Sequence, residues 1–398
     1  MKRLALLIYI VLFSNQIQAQ LDQPTIPRPE HPKPQFVRGQ WMNLNGRWDF
    51  AIDNTLFGKE KGWYKDASAF DQKITVPFCP ESTLSGIGNT DFMNAVWYHR
   101  TFNIPENWKN QRVFLNFGGV DYQCIAYVNG KKVGSHYGGS ASFSFEISEA
   151  LKAGTNELIV LAEDDIRGGV QPGGKQTRAY HNRGFSYTRT TGIWQTVWLE
   201  ARPQSYLERV KVLPDVDHSS FIVTPEITNF KNGQAFKVSL FENGKVISTA
   251  TNTTNGVPVV IKIKRPKLWS PENPFLYDVT FELLENGKPL DLVESYAGLR
   301  KVHVADEKYY LNNKPIFLRF VLDQSYYRDG IWTAPNDAAL KKDIELAMQV
   351  GFNGARLHQK VFEERFHYWA DKLGYLTMGK FSDGAWCVLT QTQKAGLI

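Results

Sequence analysis

Three polar residues near the end of the chain are placed where parallel α/β structures carry their chemistry. Asp323 follows a short apolar run, Ile316–Val321. Arg356 and His358 lie at the end of a second run, Phe352–Leu357. Both runs are predicted to be buried strands. Because ligands in parallel α/β folds meet the loops at the carboxyl ends of the strands, we expect all three side chains to line a binding or catalytic site.

Each of these side chains also has an ordinary structural explanation. Asp323 could cap the loop that follows its strand, since Asp readily accepts hydrogen bonds from nearby backbone amides. Arg356 could pair with a carboxylate on a neighbouring strand, and His358 could be a core histidine with satisfied ring nitrogens. The residues alone leave both explanations open.

Two helices are predicted to connect these strands. Asn336 can cap the first helix and Gly351 can end it. Between them, Leu340, Ile344 and Ala347 form one apolar stripe. The pattern then repeats in a second helix, which Gly374 can end and whose apolar face consists of Phe362, Phe366, Trp369 and Leu373. A third strand is predicted at Tyr375–Met378. This alternation of strands and helices predicts a parallel sheet.

The residues before position 305 predict β-structure instead. Short alternating or strongly apolar runs, without a convincing helix, continue from about residue 41 to residue 203. The pattern restarts near residue 204 and gives about seven strands, the size of an immunoglobulin-like sandwich. The pairs Asn129-Gly130, Asn243-Gly244 and Asn286-Gly287 predict hairpin turns, because a type I′ turn needs positive φ at both central positions. Two consecutive β-sandwiches are therefore expected.

Length, charge and cysteine content exclude several classes of protein. A chain of 398 residues predicts two or three domains. The net charge of +6 is mild and no Lys/Arg cluster forms a nucleic-acid footprint, so no nucleic-acid partner is expected. Cys79, Cys124 and Cys387 have no metal or redox spacing, and no motif indicates a metal or another cofactor. One disulfide and buried free thiols remain alternatives.

The first forty residues indicate export. A charged start, the apolar stretch Leu4–Phe13 and the tripeptide Ile17-Gln18-Ala19 are typical of a signal peptide over residues 1–19. The apolar stretch is too short to span a membrane. Residues 20–40 are rich in proline and predict an extended arm. We therefore expect a periplasmic or secreted protein without a membrane span.

A series of motifs then follows in a fixed order. NLNGRWDF (43–50), VWYHRTF (96–102) and TGIWQTVWLE (191–200) precede LWSPENPFLYDV (268–279), GLRKVHV (298–304) and LNNKPIFLRFV (311–321). Together, over residues 38–381, they resemble glycoside hydrolase family 2, which includes β-galactosidases and β-glucuronidases. The resemblance implies a multidomain, mostly β chain. It would contain a jelly-roll β-sandwich of sugar-binding type (41–203), an immunoglobulin-like β-sandwich (204–304) and the first β/α units of an incomplete (β/α)8 barrel (305–398).

The same resemblance implies hydrolysis of β-galactosides or β-glucuronides with retention, by two Glu residues about 5–5.5 Å apart. In the family the acid/base follows an Asn at the end of the fourth barrel strand, and the nucleophile ends the seventh. No Asn-Glu pair occurs after Arg300. Of the available Glu residues, Glu307 precedes the first strand, and those on or at the start of predicted helices are interpreted as solvated, salt-bridging residues: Glu345, Glu363 and Glu364. We therefore expect a truncated chain that lacks both catalytic Glu residues and is inactive alone.

The resemblance also implies roles at the rim of the site. Asp323 would contact substrate, Arg356 would help to keep the nucleophile carboxylate ionised, and His358 would donate to sugar hydroxyls. The segment departs from the family pattern at Gln359 and Lys360. The loop that begins at Asp164-Asp165 would approach the barrel mouth, or be only a solvated turn or a structural cation site. A carbohydrate is the expected partner, homo-oligomerisation is left open, and a non-catalytic carbohydrate-binding protein is the alternative function.

Overall fold

The computed structural model describes residues 26–168, 170–380 and 382. The predicted signal peptide, the first residues of the Pro-rich arm and Cys387 lie outside the described residues. The described part is mostly β-structure in several layers, as the sequence predicted. Among the described residues, no helix combines the length and the apolar character that a membrane crossing requires.

The first part is a β-sandwich whose two main sheets face each other across an aromatic core. One sheet has the strand order β1-β12-β5-β9, the other β3-β2-β4-β10-β7-β8, and β6 pairs with β11. The strands are β1 (Trp41–Asn43), β2 (Gly46–Ile52), β3 (Gln72–Val76), β4 (Ala95–Asn103), β5 (Arg112–Phe117), β6 (Val120–Asp121), β7 (Gln123–Val128), β8 (Lys131–Tyr137), β9 (Phe143–Glu146), β10 (Thr155–Glu163), β11 (Gly192–Ile193) and β12 (Val197–Arg202). Trp48, Phe50 and Phe117 are buried between the sheets because alternate residues of each strand point inward.

The second part is a smaller sandwich of seven antiparallel strands. Its sheets have the orders β13-β14-β17 and β16-β15-β18-β19. The strands are β13 (Tyr206–Asp215), β14 (Ser220–Thr228), β15 (Gln234–Glu242), β16 (Lys245–Asn252), β17 (Val259–Lys262), β18 (Tyr277–Glu285) and β19 (Lys288–Ala297). Phe221, Phe236 and Phe281 fill the core between the sheets.

All three predicted Asn-Gly turns are confirmed in backbone detail. Asn129 and Gly130 have φ of 51° and 76°, and both residues of the pairs at 243–244 and 286–287 also have positive φ. Asn accepts this left-handed backbone better than most residues, and Gly accepts it without a steric cost. The turns therefore join β7 to β8, β15 to β16, and β18 to β19 as tight hairpins.

The third part begins with a small antiparallel sheet and continues into a parallel one. The antiparallel strands are β20 (Val302–Ala305), β21 (Lys308–Leu311) and β22 (Lys314–Ile316). The parallel strands β23 (Phe320–Asp323), β24 (Gly354–Leu357) and β25 (Leu376–Gly379) alternate with the helices α1 (Asp337–Gln349) and α2 (Glu364–Leu373). This order agrees with the predicted alternation of strands and helices.

The strand predicted at Ile316–Val321 was wrong in its bounds. Ile316 ends β22 of the antiparallel sheet, and the parallel strand starts only at Phe320. The Asn353 side chain explains the interruption. Its Oδ1 accepts from the Arg319 amide at 2.8 Å, and its Nδ2 donates to the Phe317 carbonyl at 2.9 Å. In a continuous strand, the Arg319 amide and the Phe317 carbonyl would pair with a neighbouring strand, but here both are bonded to the Asn353 side chain.

Both helices end as the sequence predicts. The Asn336 side chain accepts from the Ala339 amide at 2.9 Å at the start of α1. Gly351 follows α1 with φ of 97°, and Gly374 follows α2 with φ of 81°. Leu340 and Ile344 are buried against α2 and the sheet. The helices therefore cover one face of the parallel sheet and fix where its strands end.

The described part of the Pro-rich arm packs along all three parts. The Val37 amide pairs with the Glu294 carbonyl of β19 at 2.9 Å. The buried Arg38 guanidinium reaches Asp291 at 2.9 Å and Glu200, at the end of the first sandwich, at 3.4 Å. The described residues of the arm contain bends and a turn at Lys33–Phe36, and they join the two sandwiches through these ion pairs.

Candidate functional site

Asp323 and His358 lie side by side at the carboxyl ends of β23 and β24. The His358 amide donates to the Asp323 carbonyl at 2.8 Å. His358 directly follows Leu357, the last residue of β24 that is paired with β23. This pairing follows from the parallel sheet, because neighbouring strands end at the same edge. The structure thus brings together two of the three residues that the sequence predicted for the site.

Arg356 lies on the sheet face that α1 and α2 do not cover. Ala355 and Leu357 pack with the helices, and the alternation of side chains along a strand sends Arg356 to the opposite face. Its neighbours in register are Leu322 on β23 and Met378 on β25. Neither residue carries a carboxylate, so Arg356 cannot form an ion pair with the residue at either of these two positions. The side chain is half-buried, on the face where a (β/α)8 barrel has its interior.

Asp323 caps its own loop and also carries a perturbed carboxyl group. Its Oδ1 accepts from the Ser325 amide at 2.8 Å, so the ordinary structural explanation holds as far as this oxygen is concerned. Burial raises the pKa of Asp323, although the Ser325 amide and the Lys360 charge act in the opposite direction. A partly buried carboxyl group with a raised pKa is typical of binding and catalytic sites.

Lys360 is a residue of this region whose position the sequence analysis missed. It is only 3% exposed, and its Nζ donates to the carbonyls of Ser325 at 3.0 Å and Trp332 at 3.1 Å. The Trp194 ring of the first sandwich lies 4.8 Å from Nζ. Burial lowers the pKa of Lys360 to about 7. The departure from the family pattern at this position was the one sequence signal available.

The backbone is unusual in both loops that follow the strand ends. Ser325 has φ of 48° and Gln359 has φ of 69°, and neither is glycine. Left-handed backbone at such residues costs free energy, which the surrounding contacts must offset. Lys360 holds the Ser325 carbonyl, and the Ser382 hydroxyl donates to the Gln359 carbonyl at 2.5 Å. These contacts fix the two loops at the edge of the candidate site.

A long loop of the first sandwich reaches the same edge. This sandwich loop, residues 164–191, places Gly174 so close to Gln359 that a Cβ atom would lie 2.3 Å from the Gln359 carbonyl oxygen. Tyr187 packs on Tyr326 with ring centroids 4.7 Å apart, and its hydroxyl accepts from Gln324 at 3.3 Å. The expected approach of this loop to the strand ends is therefore found.

Three buried acids hold the base of the sandwich loop. Asp164 accepts from Gln171 at 2.6 Å and from the Thr191 hydroxyl at 3.1 Å, so it is not part of a solvated turn. The Glu81 carboxylate accepts from the Thr191 amide at 3.1 Å. Burial raises the pKa of Glu81 to about 8 and that of Asp164 to about 6, and it also raises the pKa of Asp121.

Metal-binding geometry is absent from the part of the chain that the structure describes, where no three His, Cys, Asp or Glu side chains are grouped to hold an ion. Cys79 and Cys124 are free and buried, which agrees with the thiol alternative for these two residues.

The amino-acid sequence matches two models of one family. Residues 41–203 match the sugar binding domain of glycosyl hydrolases family 2, and residues 205–300 match a second domain of that family. Together the matches cover more than half of the chain. This chain belongs to glycosyl hydrolases family 2. The predicted resemblance is thereby confirmed.

Similar proteins in this family carry two activities in their names. A β-galactosidase of Thermoanaerobacter pseudethanolicus is 27% identical over 72% of this chain and 39% of its own length. A β-glucuronidase of Paenibacillus borealis is 23% identical over 88% of this chain and 60% of its own length. A β-glucuronidase of Rattus norvegicus is 25% identical over 88% of this chain and 58% of its own length. The chain thus spans less than two thirds of these relatives.

A solved structure supports the fold. The Ruminococcus gnavus β-glucuronidase in complex with D-glucuronic acid superposes with a TM-score of 0.77 over 91% of this chain and 63% of that chain, at 20% identity. At this identity the likeness establishes the fold, and the ligand is that protein's own.

Proposed function

We propose that this family 2 chain belongs to a retaining β-glycosidase that acts on β-glucuronides or β-galactosides. The side-by-side placement of Asp323 and His358 carries the proposal, because it puts two predicted substrate contacts at one edge of a parallel sheet. The names of similar proteins support these two sugar classes. The third part is proposed to be the beginning of a (β/α)8 barrel, with the candidate site at its carboxyl-terminal face.

In the proposed site, the rim residues bind and orient the sugar. Asp323 would accept a hydrogen bond from a sugar hydroxyl through the oxygen that does not bind Ser325. Arg356 would favour the ionised form of a nearby carboxylate by opposite charge. His358 would donate to a second hydroxyl. Bond cleavage with retention requires in addition two carboxyl groups about 5–5.5 Å apart, one as nucleophile and one as acid/base.

No described Glu of the third part is assigned to that pair. Glu345 pairs with Lys341 on the outer face of α1 at 3.3 Å. Glu363 pairs with Arg28 at 2.6 Å, which confirms its predicted salt bridge, but its side chain is largely buried, so its description as solvated was wrong. Glu364 lies 3.9 Å from Lys33. These three side chains are therefore assigned to ion pairs and not to catalysis.

Sugar binding by the whole chain tests the rim. Calorimetric titration with D-glucuronic acid, D-glucaro 1,5-lactone and D-galactose should show binding of at least one sugar, weakened about tenfold or more in Arg356→Ala. Arg319→Ala is the matched control, because Arg319 lies before the start of the same sheet, at the opposite end of β23. Equal loss in both variants, or no binding of any sugar, would overturn the proposed rim.

Hydrolysis is tested separately, on the protein isolated from its natural source. p-Nitrophenyl β-D-glucuronide and β-D-galactoside are the substrates, and NMR of the first product identifies its anomer. Retention of configuration is expected. Inversion would overturn the mechanism.

A second candidate function is a non-catalytic carbohydrate-binding protein, and one observation favours it. A cavity of about 490 Å³ in the first sandwich is lined by Tyr122, Tyr137, Gln123 and Asn94, a mixture of aromatic and amide groups suited to sugars. Under this function, Tyr137→Ala would abolish sugar binding and Arg356→Ala would not. The reverse result favours the glycosidase.

Export to the periplasm or the exterior is also part of the proposal, on the basis of residues 1–19. Amino-terminal sequencing of the protein from its natural source should give a start close to Gln20. An intact Met1 on a protein in the cytoplasmic fraction would contradict export.

A further inference from the structure

The sandwich loop encloses a cavity next to the candidate site. Its volume is about 610 Å³, and its lining includes Gly174, Gln176, Arg178, Arg183 and Phe185. Gly174 also contacts the Gln359 carbonyl at the end of β24. A ligand that occupies the rim at Asp323 and His358 could therefore extend directly into this cavity.

After Asp164 and Asp165 at its start, the rest of the loop carries charge of one sign. From residue 166 to residue 199 the sequence contains five basic residues and no Asp or Glu. Arg178 and Arg183 line the cavity and are exposed, while Lys175 lies beside it. The buried Asp121 and Asp164 face the base of the loop, where Gln176, Gln171 and Thr191 donate to them. The mouth of the cavity is thus a region of positive potential, which attracts anions.

The same mouth carries an exposed aromatic surface. Phe185, which lines the cavity, is 72% exposed, and Tyr180, one position after the lining residue Ala179, is 57% exposed, although both are large side chains that usually avoid water. The Lys175 ammonium lies 4.3 Å from the centre of the Phe185 ring. Exposed rings beside polar groups commonly mark a ligand-binding surface. A flat ring next to guanidinium groups can hold the apolar face of a sugar while the cations bind its anionic substituent.

The loop is held in place before any ligand arrives. Gln176 donates to Asp121 at 2.7 Å and accepts from the Thr190 amide at 2.8 Å. The backbone of Tyr187 makes two bonds of 2.8 Å, one with Thr177 and one with Lys175. Such preorganisation lowers the entropic cost of binding.

We propose that this cavity is a subsite for an acidic sugar unit, so that the substrate class is an acidic oligosaccharide and not a simple neutral glycoside. The anionic substituent is a carboxylate or a sulfate ester, and both match the planar, bidentate donors of Arg183 and Arg178. The proposal rests on the proposed function in one respect: the sugar unit at the rim and the unit in the cavity belong to one chain of sugars.

The test measures binding of three tetrasaccharides to the whole chain by calorimetry. One is an unsulfated uronate oligosaccharide from hyaluronan, one is its sulfated counterpart from chondroitin sulfate, and one is neutral cellotetraose. Arg183→Gln should weaken binding of the preferred acidic tetrasaccharide about tenfold, because one charge-assisted contact is lost. Arg183→Lys should recover part of that loss. Arg167→Gln is the matched control, since Arg167 belongs to the same loop but stacks on Phe92, 4.3 Å away and outside the cavity.

The outcomes separate the two proposals. Preference for the hyaluronan or the chondroitin sulfate fragment identifies carboxylate or sulfate as the anion, and either supports the subsite. Equal binding of cellotetraose, equal loss in Arg167→Gln, or equally tight binding of a single-stranded oligonucleotide would overturn it. If D-glucaro 1,5-lactone binds in an Arg356-dependent way while Arg183→Gln changes nothing, the subsite fails alone. If the tetrasaccharide binds through Arg183 and no monosaccharide binds at the rim, the glycosidase proposal fails alone.

Discussion

The guanidinium of Arg28 lies against the carboxylate of Glu363, with Nη2 and Oε2 2.6 Å apart, although the two residues are 335 positions apart in the chain. Arg28 belongs to the Pro-rich arm and is only 4% exposed, and Glu363 precedes α2. The same guanidinium also donates to the Ala334 carbonyl and to Glu30. This ion pair therefore binds the beginning of the described chain to the start of α2, which packs on the parallel sheet.

Removal of this cation should destabilise the third part. In Arg28→Met, the largely buried Glu363 carboxylate loses its partner, which typically costs about 3–5 kcal/mol of unfolding free energy. The double variant Arg28→Met/Glu363→Met should recover part of that loss, because the Glu363 charge is removed together with its partner and only Glu30 still lacks Arg28. Urea denaturation monitored by hydrogen exchange of residues 354–379 measures both.

An exposed ion pair provides the control for Arg28. Arg209 and Glu226 form a pair on the surface of the second sandwich, so Arg209→Ala should leave the urea midpoint unchanged. If the double variant is as unstable as Arg28→Met, then lost packing of the arm, and not the unpaired charge, causes the loss of stability.

Asp371 joins α2 to the second sandwich through three contacts. Its side chain accepts from Arg300 at 2.6 Å and from the Tyr296 hydroxyl at 3.1 Å, and its carbonyl accepts from the Trp269 indole at 2.7 Å. Asp371→Ala removes the first two bonds and should lower the unfolding free energy of the third part by about 1.5–3 kcal/mol. Lys372→Ala, at the next position of the same helix, should change it by less than about 0.5 kcal/mol. Limited proteolysis after α2 reports both, and equal effects would contradict the role of Asp371.

Local chemistry explains which parts of this fold the sequence could predict. The pair Asn129-Gly130 fixes its own backbone, because only residues that tolerate positive φ can form the turn. Asn336 and Gly374 likewise act on the first and last backbone groups of their own helices. The placement of Asp323 and His358 at one edge followed from the parallel order of strands alone. The turns and the helix ends thus depend on neighbours in sequence, and the shared edge depends on the order of strands and helices along the chain.

Long-range contacts explain what the sequence could not predict. The strand is interrupted after Ile316 because the side chain of Asn353, just before β24, forms hydrogen bonds with the backbone of residues 317 and 319. The burial of Lys360 depends on Trp194, which belongs to the first sandwich. Glu363 looked like a surface acid because Arg28, its partner, is distant in the chain. The two partners in each of these contacts are too far apart in the chain for a local sequence pattern to include both.

Glu81 should make stability fall as pH rises. Its pKa is about 8 in the folded protein, above the ordinary value of 4.5, because burial disfavours the carboxylate. Between about pH 4.5 and pH 8, the folded state therefore keeps a proton on Glu81 that the unfolded chain has released. The free energy of unfolding falls as pH rises across this window. Each pH unit is worth about 1.4 kcal/mol when one proton separates the two states. Glu81→Gln, which cannot titrate, should flatten the fall in Tm from pH 5 to pH 8. The exposed Glu106→Gln should not, and identical slopes in both variants would contradict the assignment.

Lys360 should have the opposite effect in a more alkaline window. Burial lowers its pKa from the ordinary value of 10.5 to about 7. Between these values the unfolded chain binds the proton and the folded chain does not, so stability rises with pH by about 1.4 kcal/mol per unit at most. Lys360→Met lacks this proton and also leaves the carbonyls of Ser325 and Trp332 without their donor.

The difference in unfolding free energy between wild type and Lys360→Met should therefore grow from pH 7 to pH 10, in chemical denaturation at each pH. Lys61→Met, at an exposed position, should show a constant difference. Because Lys360 also holds the loop that Asp323 caps, Lys360→Met should weaken sugar binding at the rim at every pH. A difference that does not change with pH would mean that the two carbonyls and the surrounding rings fully compensate the buried charge, so that Lys360 stays protonated in the folded protein.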